Sequence, residues 1–297
     1  MIKVAIIGHG NIGRAAEAAV NMAPDMQLAG IFHHGEINEE TVTERMANQV
    51  DVTLICTPTR EVKPFASLLA AKGICTVDSF DIHGDILQLR SALDPICQSG
   101  KAVSIISAGW DPGSDSMVRA LLTALLPAGE MYTNFGPGRS MGHTVAAKAI
   151  PGVKDALSMT LPAGKGKHDR HVYIELEEGY DFEDVKNALL ADDYFAHDHT
   201  VVELVPSVEA LNTTAHGVHI ERNGVLNAKP DQQLDFTMRI DNPSLTGQFM
   251  TACARAAYRL KQKGDFGAKT TIELAPISLL PGSEEQLIKT EILPNSV

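Results

Sequence analysis

An apolar strand that runs directly into a glycine-rich turn and then a helix constrains this chain more than any other feature. It opens the sequence as MIKVAIIGHGNIG, from Met1 to Gly13. In a GxGxxG turn of this kind Gly8 permits the tight bend and Gly10 lets the backbone approach a pyrophosphate. Gly13 lets the following helix, read over Arg14 to Met22, pack close to the sheet. The helix start adds unpaired N–H groups that favour a phosphate, and His9, Asn11 and Ile12 occupy the other turn positions. The segment predicts a dinucleotide cradle, against the alternative of a purely structural glycine turn.

The next runs place that cradle in a sheet. Through residue 118, apolar strands (IKVAIIG, MQLAGIF, DVTLICT, GICTVDS, AVSIISAGW) alternate with helical segments near Lys63 to Ala71 and Ile86 to Gln98. This order predicts an α/β, Rossmann-type parallel sheet domain. Beyond about residue 130 the texture changes to strand-like runs separated by turn signals, among them MYTNFGPG, LSMTLPA, HVYIELEE, TVVELVPS, VHIERNGV and LDFTMRID. Asn223-Gly224 reads as a hairpin turn, and helices are expected over Asp181 to Ala191 and Leu245 to Lys263. The second domain is therefore expected to be α+β, built on a largely antiparallel sheet. The boundaries read as 1–118 for dinucleotide binding, 119–264 for the second domain, and 265–297 returning to the first domain through TTIELAPISLL.

Composition removes several partners. With 25 Lys and Arg against 37 Asp and Glu, the formal charge is -12, which opposes phosphate-backbone binding, so no nucleic acid partner is expected. No signal-peptide pattern opens the chain and no apolar run reaches the ~18 residues of a membrane span; the expectation is a cytoplasmic protein with no membrane partner. Cys56, Cys75, Cys97 and Cys253 lack metal-ligand spacing, so they read as core thiols and no metal site is expected.

In a parallel sheet, ligands bind beyond the carboxyl ends of the strands. Polar residues just after each apolar run should therefore converge. Besides the glycine turn these are Thr57, Pro58, Thr59 and Arg60; then Asp78, Ser79, Phe80 and Asp81; then Ala108, Gly109, Trp110, Asp111 and Pro112. Most suit a nicotinamide cofactor. Asp81 and Asp111 bring paired carboxylates beside it, which suits a substrate ammonium group held by charge-assisted hydrogen bonds. Asp78 sits early in its loop and reads equally as a solvated strand-end cap, while Trp110 reads either as a pocket wall or as a core side chain.

Longer strings sharpen this. VDSFDIHGD, SAGWDPG, NFGPGRSMGH, AIPGVKDALSMTLPAG and RIDNP, in order over essentially the whole chain, closely resemble the meso-diaminopimelate dehydrogenase family. The resemblance implies reversible, NADP-dependent oxidative deamination of the D-centre of meso-2,6-diaminopimelate, giving L-2-amino-6-oxopimelate and ammonia, by a homodimer. It implies substrate binding and dimerisation for 119–264 and assigns Asp81 and Asp111 to the reacting amino group, with Phe135, Met141 and Gly142 lining the cavity. Thr160, Arg170, His216 and Asn242 match ligands of the distal end, where Arg170 can hold a carboxylate bidentately.

The sequence departs from the family at one point. His33-His34 stands where members often carry an arginine pair for the 2′-phosphate, with Glu36 close by. NADP remains the expected cofactor, because histidines can donate and Arg60 can supply charge; NAD is the alternative. Other readings kept open are a broad D-amino acid dehydrogenase and a nicotinamide-binding regulator without turnover.

Overall fold

The computed structural model describes residues 1–196, 199–211 and 216–292, apart from the side chain of Met141. It divides into two compact units: Met1–Ala120 together with the chain from Pro243 onward, and Leu121–Asn242.

The first unit is a six-stranded parallel sheet. Its strands are β1 (Ile2–Ile7), β2 (Met26–Phe32), β3 (Val52–Ile55), β4 (Cys75–Asp78), β5 (Val103–Ile106) and, from the chain's far end, Gly267–Thr270. The order runs Gly267–Thr270, β5, β4, β3, β1, β2. Side chains alternate across a strand, so Val4 and Ile6 face one layer and Ala5 and Ile7 the other. Both layers are covered, and β3, β4 and β5 are buried at every position, as a doubly wound parallel sheet requires. On one face lie the helices Thr59–Ala71, through Val62, Ala66 and Leu69, and Ile86–Gly100, through Leu89, Leu93 and Cys97.

The other face corrects the sequence-derived boundary. Helix Asn11–Met22 covers it with Ala16 and Val20, and beside them lies helix Asn242–Gln262, with Met250, Cys253, Ala254 and Ala257 in the same core. A side chain at Gly247 would meet the Ala16 backbone nitrogen at 2.5 Å, so the two helices touch through small residues. Arg255 clamps the far end, donating from Nε and Nη2 to the Asp25 carboxylate at 2.5 and 2.6 Å. Residues 243–262 therefore complete the parallel-sheet unit rather than the second one. The C-terminal segment does pair with β5, but through Gly267–Thr270. The expected run TTIELAPISLL instead forms a 3₁₀ turn, Thr271–Glu273, closed by a Thr270/Glu273 capping box, and a short helix, Pro276–Leu279.

The second unit holds two sheets. One orders β10 (His199–Leu204), β9 (Lys167–Leu176), β8 (Val153–Gly164) and β7 (Gly138–Arg139), antiparallel except for the β10/β9 pair. The other is the antiparallel set β12 (Lys229–Ile240), β11 (His216–Leu226) and β6 (Ala128–Phe135). The four-stranded sheet packs Ala156, Val172, Ile174 and Val202 against Ala147, Val185 and Leu189 of helices Met141–Lys148 and Phe182–Ala191.

Asn223-Gly224 is not the hairpin turn. Both residues lie within β11, opposite Gln233 and Gln232, and the chain reverses at Asn227-Ala228, where φ is 52° and 61°. Two positive φ values match the twist of a two-residue hairpin. Gly224 serves instead where β6 comes close: a Cβ there would meet the Ala128 carbonyl oxygen at 2.0 Å. Glycine inside a strand often marks such an approach.

Candidate active site

The sheet order reverses between β1 and β3, and this is the switch point where ligands of such folds bind. The glycine turn sits there. Gly8 has φ +88°, and a Cβ on it would meet the Cys56 carbonyl oxygen at 2.6 Å; one on Gly13 would meet the Gly8 oxygen at 2.1 Å. Gly10 is different, because among the described residues nothing lies within 4 Å of where its Cβ would stand. It caps helix Asn11–Met22 without a side-chain bond, and the helix has no acid in its first turn. Its first N–H groups lack intrahelical acceptors. Nearby, the Thr57 hydroxyl is buried without a hydrogen bond among the described residues. Open space, unclaimed N–H groups and an orphaned hydroxyl together fit a dinucleotide phosphate. Arg14, which the sequence reading passed over, lays its guanidinium on the turn, 3.2 Å from the His9 oxygen and 2.7 Å from Asn11 Oδ1. Its signal was a cation in the first helical turn, where the helix dipole disfavours it.

Beyond β2 the chain forms a 3₁₀ turn, His34–Glu36. The Glu36 carboxylate accepts the His33 N–H at 2.6 Å, so its charge is engaged within this turn. His34 Nδ1 lies 3.6 Å from Glu61 Oε2, and Arg60 is exposed at the start of helix Thr59–Ala71.

The loops after β4 and β5 carry the carboxylates. Asp81 accepts a hydrogen bond from the Thr59 hydroxyl at 2.5 Å, which ties the β4 loop to the β3 loop. Asp111 accepts from Arg119 Nη2 at 2.6 Å. Asp78 is fully buried, not solvated: its Oδ1 takes the N–H of Phe80 at 2.9 Å and that of Ser107 at 3.0 Å. One oxygen thus joins the loop of Asp81 to the loop of Asp111. Ser107 needs that hold, since its φ of +57° lies in the left-handed region that non-glycine residues avoid. Burial pushes the Asp78 carboxyl up to about 6, although the two N–H groups oppose the shift. Trp110 is buried as well. One turn on, Asp115 is fully buried and pushed up to about 7, by burial first and then by the Asp111 charge. Sequence reasoning missed the burial of both acids, because burial at a strand end or in the first turn of a helix leaves no mark in residue order.

The second unit gathers its own polar cluster. Thr160 of β8 and Arg170 of β9 stand opposite each other in the hairpin register, so their side chains meet. Arg170, buried, donates from Nη1 to the Thr160 hydroxyl, and its Nη2 lies 2.9 Å from His168 Nε2. His168 went unpredicted; its signal was the i, i+2 spacing to Arg170, which puts both on one strand face. His216 begins β11 with its ring edge-on to Phe135, centroids 6.4 Å apart. Its pKa is lowered, by burial first and also by the Arg170 charge, against a backbone hydrogen bond that raises it. The Gly136 turn joins this group, since a Cβ there would meet the Thr160 oxygen at 2.3 Å. Gly142 lies in the first turn of helix Met141–Lys148, the Met141 side chain lies outside the described residues, and Asn242 opens the long helix after β12. Beside Gly142, His143 bonds Ser140 and meets the rings of Tyr194 and Phe195 edge-on.

Burial pushes the Cys56 thiol up to about 12 and that of Cys75 up to about 11. Among the described residues no group of three His, Cys, Asp or Glu is arranged to hold a metal ion, and no helix is long and apolar enough to cross a membrane.

Residues 109–166 match the family model of the diaminopimelic acid dehydrogenase C-terminal domain. The chain is 50% identical over 296 residues to a meso-diaminopimelate D-dehydrogenase of Bacteroides fragilis, covering 97% of this chain and 98% of that one. A namesake from Lysinibacillus sphaericus is 34% identical, with 98% and 99% covered. Among solved structures, the C. glutamicum DAP dehydrogenase in complex with DAP superposes with a TM-score of 0.86 at 31% identity, covering 98% of this chain and 99% of that one. An engineered D-amino acid dehydrogenase bound to NADP+ gives 0.80 at 30% identity, with the same coverage.

Proposed function

The chain belongs to the meso-diaminopimelate D-dehydrogenase family, and from that membership we propose how its own residues carry the reaction. The reaction is the reversible, NADP-dependent oxidative deamination of the D-centre of meso-2,6-diaminopimelate to L-2-amino-6-oxopimelate and ammonia. The single observation that carries it is the full-length similarity to curated enzymes of that name.

Bound NADP supplies the hydride acceptor in the deaminating direction and the hydride donor in the reverse. The Gly8, Gly10 and Gly13 turn holds its pyrophosphate, Thr57 to Arg60, Ser79, Phe80, Ala108, Gly109 and Pro112 line its path, and His33 and His34 meet its 2′-phosphate end. Asp81 and Asp111 hold the amino group of the D-centre; before substrate enters, Thr59 bonds Asp81 and Arg119 bonds Asp111. Two fixed carboxylates set the direction of the adjacent C–H bond. The ammonium gives up a proton to solvent before that bond breaks, so that the nitrogen lone pair can form the C=N bond, and the carboxylates stabilise the charge that develops on nitrogen. Water then adds to the carbon and ammonia leaves. No covalent nucleophile takes part.

At the distal, L-configured end, Arg170 takes the carboxylate while Thr160, His216 and Asn242 supply further hydrogen bonds. Phe135, Met141, Gly142 and Trp110 complete the lining. Requiring both polar ends to be satisfied selects diaminopimelate over simple D-amino acids, because each buried donor left unpaired costs about 1 to 3 kcal/mol. We assign a homodimeric, cytoplasmic state on the same family resemblance.

The test is NADPH formation from meso-diaminopimelate, with NAD, the LL isomer and simple D-amino acids in parallel. Turnover of the meso isomer with NADP is expected. Activity confined to simple D-amino acids points to the broad dehydrogenase, and silence throughout to the non-catalytic regulator.

A further inference from the structure

Behind Asp111 lies a carboxyl that the reaction as described does not use. Asp115 occupies the first turn of helix Ser114–Leu125, fully buried, and neither of its carboxyl oxygens makes a hydrogen bond among the described residues. Leaving such acceptors unmade costs on the order of 1 to 3 kcal/mol. An apolar side chain of similar shape would avoid that cost. The charged groups acting on Asp115 are Asp111, from the loop before it, and Arg119, from its own helix; the Trp110 indole is its polar neighbour. Asp115 and Arg119 are four residues apart on a helix, a spacing that brings side chains together. Arg119 therefore stands between two carboxyls, and in this structure it is bonded to Asp111.

The function proposed above gives Asp111 a second cation, the substrate ammonium. We propose that Asp115 is a positioning residue for that amino group: it is the alternate seat of Arg119, which moves to Asp115 when the ammonium takes Asp111. The inference rests on that assignment of Asp111. Charge balance then fixes the chemistry. Before binding, Asp111 and Arg119 neutralise each other and Asp115 keeps its proton, in line with its titration near about 7. After binding, Asp111 faces the ammonium, Arg119 faces ionised Asp115, and the proton from the Asp115 O–H passes to solvent. One positive charge enters and one leaves. Affinity for meso-diaminopimelate should therefore rise about tenfold per pH unit up to that titration and then level off.

The experiment is calorimetric titration of meso-diaminopimelate into the NADPH-loaded enzyme, which cannot turn over. It is run at about pH 6 in buffers of different ionisation enthalpy, so that proton release is read directly. Asp115→Asn should release about one proton fewer than wild type, and its affinity should lose the rise with pH. Arg119→Gln should show the same loss, which keeps the test alive if Asp115→Asn folds poorly. Wild-type proton release and wild-type pH dependence in Asp115→Asn would overturn the inference. Asp111→Asn separates the two readings. If it binds the substrate like wild type, the assignment of Asp111 fails; if it loses binding while Asp115→Asn matches wild type, only the role of Asp115 fails.

Discussion

Single side chains in this protein do more than their position in the sequence suggests, and Asp78 shows why. Its Oδ1 serves two loops while its Oδ2 is buried without a hydrogen bond among the described residues. A carboxyl whose pKa is raised on folding binds protons more readily in the folded chain, so its contribution to stability is fully present below the unfolded value of about 3.9. That contribution is lost as pH climbs through about 6. Asp78→Asn keeps the accepting oxygen and removes the titration. Its melting temperature relative to wild type should therefore be higher at pH 7 than at pH 4, whereas Asp78→Ala should lose about 1 to 3 kcal/mol because two N–H groups lose their acceptor. Arg170→Ala should weaken diaminopimelate binding on the order of 100-fold and leave NADPH affinity intact; equal losses for both ligands, by titration, would remove Arg170 from the substrate site. At the other end, His33 and His34 can donate hydrogen bonds to a 2′-phosphate. Replacing both by Ala should lower the preference for NADPH over NADH, read by fluorescence titration, about tenfold. An unchanged preference would take the histidines out of the phosphate site.

Secondary-structure elements were the most legible layer, and the glycine turn gives a sharp test of how they are used. The strand, turn and helix of the first 22 residues could be read directly, because each glycine answers a distinct steric demand. A methyl at Gly13 collides with the Gly8 oxygen, while one at Gly10 meets nothing within 4 Å among the described residues. Gly13→Ala should therefore lose both stability and NADPH binding. Gly10→Ala should melt within a few degrees of wild type yet bind NADPH at least about tenfold more weakly. A Gly10→Ala enzyme with full affinity would place the pyrophosphate elsewhere. Legibility failed where tertiary contact outweighed a local signal. Asn223-Gly224 carries the favoured turn dipeptide, but β6 crosses so near Gly224 that the glycine is needed inside the strand, and the chain turns at the less suggestive Asn227-Ala228. Arg170 and Thr160 were named through resemblance; His168 and Asp115 were not, since the contact of the one with Arg170 comes from the strand and the burial of the other from packing.

The whole molecule departs from its sequence order. Residues 121–242 form a continuous unit, whereas the parallel sheet draws on the chain to both sides of them. No local pattern announces this return, because an alanine-rich helix suits either unit until its partner is known. A fragment ending at residue 118, the expected boundary, lacks Met250, Cys253, Ala254 and Ala257 beneath the sheet, and it lacks the edge strand Gly267–Thr270. Such a fragment should show no cooperative thermal transition and no NADPH binding, while a chain that retains residues 243–292 should show both. The returning helix also sets a schedule during synthesis. A ribosome adding about 5 to 20 residues per second exposes the first 120 residues long before their covering helix exists, so the second unit, continuous in sequence, is synthesised whole before the first. Throughout that interval the sheet face that helix Asn242–Gln262 covers in the finished protein lacks its cover.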